Sequence, residues 1–252
     1  MSIDLPQWPE AVARKVLPRV DSTMAEAARM APQQAGPIWI LAHEQTAGHG
    51  RRGRAWVQPA GNFSASYLFR PRMEPARAAL YSFVAALALD EALGQICGPQ
   101  AQLAIKWPND VLLNGGKVSG ILLETIGQGP EAWLCIGIGV NLAQAPEAGL
   151  VEAGAVAPVS VAQALGYAPT PDEFLAYLAP AFDRFATDYQ TYGFAPIRTA
   201  WLARAARIGQ PIRARTGTQS HDGIFETIDE SGAMILNRPE GRLAISAADI
   251  FF

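Results

Sequence analysis

Asn114-Gly115-Gly116 separates two apolar runs, Val111–Leu113 and Lys117–Ile126, and leaves them one simple way to meet. A tight turn needs positive φ at its centre, which glycine supplies without steric penalty, so the pattern predicts a β-hairpin. Gln102–Trp107 reads as a strand leading into it, with Pro108 biasing Trp107 toward an extended conformation. Lys106-Trp107-Pro108-Asn109-Asp110 precedes the first hairpin strand, and Lys117 opens the second. Two lysines, a carboxylate, a carboxamide and an indole are thus gathered at turn-bounded strand ends. An ammonium group is a compact point charge suited to phosphate or carboxylate oxygens, and a strand-end carboxylate can hold Mg²⁺. Structural alternatives stand beside this reading. Asn109 and Asp110 could bond their own backbone in a turn, and Lys117 could form a salt bridge with Asp110.

The remaining chain supplies strands and helices around this hairpin. Ile38–Ala42 is a continuous apolar run of strand length. Asn62–Phe69 reads as a strand with Phe63, Ala65, Tyr67 and Phe69 on one face, and Trp133–Leu142 as a buried strand containing Gly137 and Gly139. Residues 1–20 read as a proline-containing lead-in. Thr23-Met24-Ala25-Glu26 has capping-box spacing and predicts a helix from about Met24 to Met30. Ala76–Ile96 is apolar nearly all round and predicts a buried helix. After an Ala/Pro/Gly-rich loop at 143–158, helices are expected near 160–165, 171–191 and 195–206, with Pro171 in a first turn. From Arg207 the texture changes to short strands at Pro211–Thr216, Gly223–Asp229, Ala233–Asn237 and Arg242–Ser246, the makings of a small β-barrel. The expected class is α+β, a mixed β-sheet packed with helices, divided into domains at 1–206 and 207–252.

With 252 residues, 50% of them hydrophobic, the chain can bury one sizeable core plus an appendage. A formal net charge of −3 gives no global basic excess for nucleic acid. The first 20 residues lack a charged segment followed by an apolar run, so no signal peptide is expected. Residues 78–93 are interrupted by Ser82, Asp90 and Glu91 and read as too short to span a bilayer. Cys97 and Cys135 lie in apolar surroundings at no metal-ligand spacing and read as reduced core residues. A cytoplasmic location is expected.

The basic residues are concentrated locally, in Gln45-Thr46-Ala47-Gly48-His49-Gly50-Arg51-Arg52-Gly53-Arg54-Ala55-Trp56. Glycines let the backbone approach a ligand, and arginines hold phosphate or carboxylate oxygens in bidentate fashion. The alternative is a solvated basic turn. The loop is neither a Walker A sequence, lacking Gly-Lys-Ser/Thr, nor a dinucleotide fingerprint. Gly137 and Gly139 mark either a ligand's approach or tight packing against the strand. Ser22-Thr23 is either a helix cap or a pair of hydroxyls for a neutral polar ligand.

Taken in order, five segments resemble the biotin protein ligases. They are Ser22-Thr23, the loop Gln45–Trp56, Lys106–Asp110, Lys117-Val118-Ser119-Gly120-Ile121-Leu122-Leu123-Glu124, and Gly137-Ile138-Gly139-Val140-Asn141-Leu142. The resemblance covers about residues 16–250. It implies a class II synthetase-like, biotin/lipoate ligase-like catalytic fold and a C-terminal SH3-like barrel. It also implies a two-step reaction. Biotin's carboxylate attacks the α-phosphate of ATP, giving biotinyl-5′-AMP and pyrophosphate, and a lysine of a biotin carboxyl carrier protein domain then takes the biotinyl group and releases AMP. The substrates implied are biotin, ATP and Mg²⁺, and the carrier domain belongs to acetyl-CoA carboxylase or a related carboxylase. Catalytic roles fall by resemblance on Lys117, Arg51 and Asp110. Biotin binding falls on Ser22, Thr23, Met24, Gln45, Gly48, His49, Gly50, Arg51, Lys117, Gly120, Gly137 and Gly139. Adenylate binding falls on Arg51, Arg54, Trp56, Lys117, Asn109 and Asn141, with Asp110 as the candidate metal ligand or orienter of the attacking amine and Trp107 as apolar wall.

Two departures accompany the match. His49 stands where the family usually has the first arginine of Gly-Arg-Gly-Arg, and the helix-turn-helix of the ligase-repressors is not expected, so neither is DNA binding. No membrane association is expected, and the assembly is a monomer or a homodimer. Rival readings are a lipoate or octanoate ligase or transferase, a nucleic-acid-binding regulator gripping phosphates with Arg51, Arg52 and Arg54, and a catalytically inactive binding module.

Overall fold

A computed structural model describes residues 6–129, 131–147, 155–217 and 219–252. Residues 148–154 of the expected loop, and the first five residues of the lead-in, lie outside the described residues. Among those described, the strands form two sheets. The first has seven strands in the order β1-β2-β3-β7-β6-β5-β4: β1 (Ala13–Leu17), β2 (Ile38–Ala42), β3 (Phe63–Phe69), β4 (Leu103–Lys106), β5 (Asp110–Leu113), β6 (Gly116–Ile126) and β7 (Trp133–Val140). Only β1 and β2 pair in parallel; the other neighbours are antiparallel.

Period-two alternation on β3 divides the molecule. Phe63, Ala65, Tyr67 and Phe69 face the main core with helices α3 (Tyr81–Cys97) and α5 (Pro171–Tyr192). There Phe63 meets Phe174 edge-on, Tyr67 meets Phe182, and Phe69 meets Tyr81. Such contacts contribute about 0.5–1.5 kcal/mol each beyond their buried area. Ser64, Ser66 and Leu68 face the other way, where α1 (Thr23–Met30) packs Met24 and Ala27 against Ile40, Leu68 and Cys135. One side of the sheet is therefore a helix-covered core, and the other is free to build a site.

Several local expectations need correction. The lead-in contains strand β1, an edge strand with Arg14 and Lys15 that protect it by charge. Ser22, not Thr23, caps α1: its Oγ accepts from Ala25 N–H at 3.5 Å, while Glu26 pairs with Lys15 at 2.7 Å instead of closing a capping box. The expected helix Ala76–Ile96 is broken. A short α2 (Pro75–Ala78) precedes α3, and the bonds between them run i to i+3, Leu80 N–H to Arg77 O and Phe83 N–H to Leu80 O, tightening the turn. The segment Pro75–Cys97 has, by length and composition, what a membrane span needs, yet it is mostly buried inside the protein. Cys97 and Cys135 are unpaired and buried, and desolvation pushes their thiols up to about 11 and about 12.

The hairpin forms as expected, with Asn114 and Gly115 both at positive φ (50° and 82°). Helices α4 (Val161–Leu165) and α6 (Phe194–Leu202) complete the helical layer. The chain then runs along the free edge of β4, with Ile105 N–H donating to Arg204 O and Ala206 N–H to Ile105 O, both at 2.8 Å. The second sheet is antiparallel and SH3-like, in the order β11-β10-β9-β8-β12. Its strands are β8 (Pro211–Thr216), β9 (Gln219–Ile228), β10 (Met234–Arg238), β11 (Gly241–Ile245) and a β12 (Asp249–Phe251) that the sequence reading omits. Trp107 Nε1, beyond the end of β4, donates to Gly232 O at 3.1 Å, and Arg198 Nε on α6 donates to Ile228 O at 2.5 Å, anchoring this sheet to the rest of the protein.

Candidate functional site

A cavity of about 290 Å³ lies on the α1 side of the large sheet, walled by the loop 49–57 and by Ala248–Phe251. Its floor follows the strand register. Lys106 pairs with Asp110, Asp110 with Gly120, Gly120 with Gly139, and Gly139 with Ser64. One cross-strand row thus carries charge at the β4–β5 end, two glycines in the middle and a hydroxyl at the β3 end. Cross-strand neighbours share a face at about 5 Å spacing, so this row is a continuous track.

The glycines leave room for side chains from above. A Cβ on Gly139 would lie 2.5 Å from Trp56 Nε1, and one on Gly137 would lie 2.5 Å from Met24 Sδ. Trp56 also approaches Gly120, beside Lys117 Nζ. The tight packing weighed in the sequence reading is present, and its partners, Trp56 and Met24, both line the cavity.

At the α1 end the polar groups satisfy one another. Gln45 Oε1 accepts from Thr23 N–H at 2.7 Å and from Thr23 Oγ1 at 3.0 Å, and Ser66 Oγ donates to Thr23 Oγ1 at 2.8 Å. The protons of this relay are therefore assigned. Thr23 has spent its proton and retains acceptor capacity, Gln45 retains its NH₂ donors, and Ser22, whose Oγ accepts from Ala25, retains its proton. Gly48 makes space for that amide, since a Cβ there would lie 2.8 Å from Gln45 Nε2. Two donors and an acceptor, all neutral, match a urea or amide and not an ion.

The opposite end is ionic. Lys117 Nζ lies 2.7 Å from Asp110 Oδ1, and Lys106 Nζ 3.7 Å from Asp110 Oδ2. Lys106 is 9% exposed, and its burial pulls its pKa below the ordinary lysine value against the opposing pull of Asp110. The salt bridge weighed in the sequence reading is present. Asp110 is bracketed by two ammonium groups, and no three His, Cys, Asp or Glu side chains converge among the described residues. With Lys117 and Lys106 beside it, Asp110 has both carboxylate oxygens facing ammonium groups in this arrangement.

The glycine–arginine loop is a small closed arm. Gly50 N–H donates to Arg54 O and Trp56 N–H to Gly48 O around a 3₁₀ turn at Arg51–Gly53, with Arg52 at φ 58°. Arg51 Nη1 donates to Asn109 Oδ1 at 3.3 Å and Ala248 O at 3.5 Å. Burial pulls its pKa down, with Asp249 and Asp110 opposing, and the group stays cationic. Arg52, Arg54 (3.1 Å) and Arg215 (3.3 Å) converge on Asp249 Oδ2. Burial alone would raise Asp249; the arginines outweigh it and hold the carboxyl below the ordinary aspartate value. His49 Nε2 lies 3.2 Å from Glu124 Oε1 on β6.

Of the catalytic, biotin-binding and adenylate-binding residues that the resemblance implies, all but Gly48 line the cavity. Two are partly committed elsewhere. Asn141 Nδ2 donates to Val159 O at 3.2 Å, and Asn109 Nδ2 to Ile121 O at 2.6 Å. Trp107 lines the cavity but spends its indole N–H on the second sheet. The sequence reading missed Ser64, Ser66 and Asp249. The first two alternate with Phe63, Ala65 and Tyr67, a period-two signal that was available; Asp249 carries no local signal.

Residues 16–141 match the biotin/lipoate A/B protein ligase family, and residues 208–252 match the biotin protein ligase C-terminal domain. The chain is 62% identical to a biotin–[acetyl-CoA-carboxylase] ligase of Paracoccus denitrificans, over 94% of this chain and 99% of that one. It is 34% identical to the bifunctional ligase/repressor BirA of Bacillus subtilis, over 84% of this chain and 65% of that longer protein. Its fold is similar to that of a biotin protein ligase from Aquifex aeolicus in complex with biotin and ATP, with a TM-score of 0.79, 24% identity and coverage of 94% and 97%.

Proposed function

The chain belongs to the biotin/lipoate A/B protein ligase family, and from that premise we propose how its residues divide the work. The protein is an ATP-dependent ligase that converts biotin to biotinyl-5′-AMP and passes the biotinyl group to a carboxylase's carrier lysine. We assign the neutral relay to biotin's ureido ring. Ser22 and Gln45 donate to its carbonyl, and Thr23 Oγ1 accepts from a ring N–H, the proton assignment that the relay leaves open. Backbone groups of Gly48, His49 and Gly50 stand beside it, and Met24, Gly137, Gly139 and Gly120 form the bed for the apolar chain.

The biotin carboxylate then reaches the ionic end. In the first step its oxygen bonds to the α-phosphorus of ATP and the bond to pyrophosphate breaks. Two anions must meet, so cations must neutralise the charge that develops. Lys117 exchanges its bridge to Asp110 for the carboxylate and α-phosphate, Arg51 and Arg54 take phosphate oxygens, and Asn109 steers Arg51. ATP would be taken with Mg²⁺ as its counter-ion, which would offset charge on the triphosphate. Trp56 closes over the mixed anhydride and keeps water from it. In the second step the carrier's amine attacks the anhydride carbonyl and AMP leaves. Asp110, released by Lys117 and still near Lys106, orients that amine and takes its proton. Asn141 stands at the adenylate edge.

The single observation that carries this reading is the register row, ionic at Lys106–Asp110 and neutral at Ser64, joined through two glycines. We extend it to the acetyl-CoA carboxylase carrier domain as partner, to a cytoplasmic location, to the absence of DNA and membrane partners, and to a domain division at 206/207. The test incubates the protein with ATP, Mg²⁺ and either biotin or lipoate, and follows pyrophosphate and carrier mass. Biotin-dependent pyrophosphate release and one biotinyl group on the carrier are expected. A larger response to lipoate overturns the substrate, and no pyrophosphate with either overturns the activity.

A further inference from the structure

Ser64 is 2% exposed, lines the cavity, and its Oγ has no hydrogen-bond partner. Four other buried side-chain atoms share that condition among the described residues, on Gln58, Arg70, Trp201 and Arg238, and none of those residues lines the cavity. Other hydroxyls near this face are engaged: Ser66 with Thr23, and Ser119 with Gly139 O at 2.8 Å. The immediate cross-strand neighbours of Ser64 are Ala42 and Gly139, neither of which has a side chain able to bond it. A buried hydroxyl left unpaired is unfavourable, and it asks for a partner that the described residues do not supply.

Biotin's chemistry identifies that partner. Its bicycle carries a urea and a thioether, and its side chain is apolar up to the carboxylate. The urea's carbonyl is met by Ser22 and Gln45, one ring N–H by Thr23, and the carboxylate by Lys117. The second ring N–H and the sulfur have no assigned contact, and of the two only the sulfur can accept a hydroxyl proton. Ser64 lies two residues from Ser66 on the same face of β3, next to the relay and before the glycines, where the bicycle would rest.

We propose that Ser64 is a substrate-contacting, specificity-determining residue whose Oγ–H donates to the thioether sulfur of biotin. The proposal rests on the biotin reading above. Thioether sulfur is a weak acceptor, so the contact contributes about 2- to 10-fold in affinity, the range of a modest neutral hydrogen bond. It would make the enzyme prefer biotin over the carbocyclic analogue with CH₂ in place of sulfur.

Calorimetry on wild type and Ser64→Ala, each with biotin and with the carbocyclic analogue, tests this, alongside the melting temperature without ligand. Wild type is expected to bind biotin about 2- to 10-fold more tightly than the analogue, and Ser64→Ala to bind both equally. The ligand-free variant should melt no lower than wild type, because it loses an unpaired hydroxyl. A preference that survives in Ser64→Ala overturns the proposal, as does a wild type without preference; a hydroxyl that only holds a water gives the former. Failure of wild type to bind biotin at all would instead overturn the biotin reading.

Discussion

At the α1 end of the cleft, Ser22, Thr23, Gln45 and Ser66 are neutral and aligned by one another; at the β4–β6 end, Lys106, Asp110, Lys117 and the loop arginines are charged and held by internal counter-ions. The difference lies in what binding must undo. The neutral end keeps its protein hydrogen bonds and offers only spare donors and lone pairs, so its geometry is preorganised. At the ionic end each substrate anion must displace a carboxylate, Asp110 from Lys117 or Asp249 from the loop arginines. Preorganisation suits recognition of a small neutral ring. Exchangeable pairing suits a site whose charge changes through two steps.

The largest effect is expected where exchange is essential. Lys117→Ala should slow biotin-dependent pyrophosphate release by at least about 100-fold, the scale on which loss of one preorganised oxyanion donor is felt, with little change in melting temperature because Lys117 is partly exposed. Unchanged turnover would remove Lys117 from the chemistry. Next comes the relay. Thr23→Val keeps the shape but removes a proton from Gln45 Oε1 and an acceptor from Ser66. Leaving such groups unpaired costs about 1–3 kcal/mol, so the KM for biotin should rise about 5- to 150-fold while that for ATP stays within about 2-fold. Equal changes in both would erase the distinction between the two ends.

The smallest effect concerns the clasp on Asp249. Asp249→Asn should raise amide exchange of residues 48–55 several-fold without ligand, and ATP with biotin should restore protection. Equal exchange in both proteins would contradict the clasp. Its pH dependence has a definite sign. A carboxyl whose folded pKa is depressed contributes stability fully above its unfolded value, about 3.9, and loses it as pH falls through the lower folded value. The wild-type advantage over Asp249→Asn should therefore persist at pH 5 and disappear only below about pH 4.

The ionic hairpin and the glycine–arginine loop were legible in sequence because their signals are local: charges beside Pro108, glycines at the Asn114-Gly115 turn, arginines between glycines. The buried helical layer was legible from apolar content, apart from its break at Ala79-Leu80. Strand β1 was not, because an edge strand with Arg14 and Lys15 needs little apolar content and takes its place from pairing with β2. Nor was β12, whose three residues are too few for a period; Asp249 meets Arg52 across 197 positions of chain. Ser64 and Ser66 were written in the alternation of β3, but their meaning depended on Gly137 and Gly139 lying opposite.

The exchange of partners at Asp110 is the centre of the account, and the two half-reactions of Asp110→Asn, followed separately by rapid quench, test it most directly. Adenylate formation should stay within about tenfold of wild type, since Lys117 is still available to the anions. Transfer from preformed biotinyl-5′-AMP to the carrier should fall about 100-fold or more, the upper part of the range for loss of a positioned proton acceptor. Equal loss in both half-reactions would contradict it, and would mean that Asp110 only holds the lysines in place.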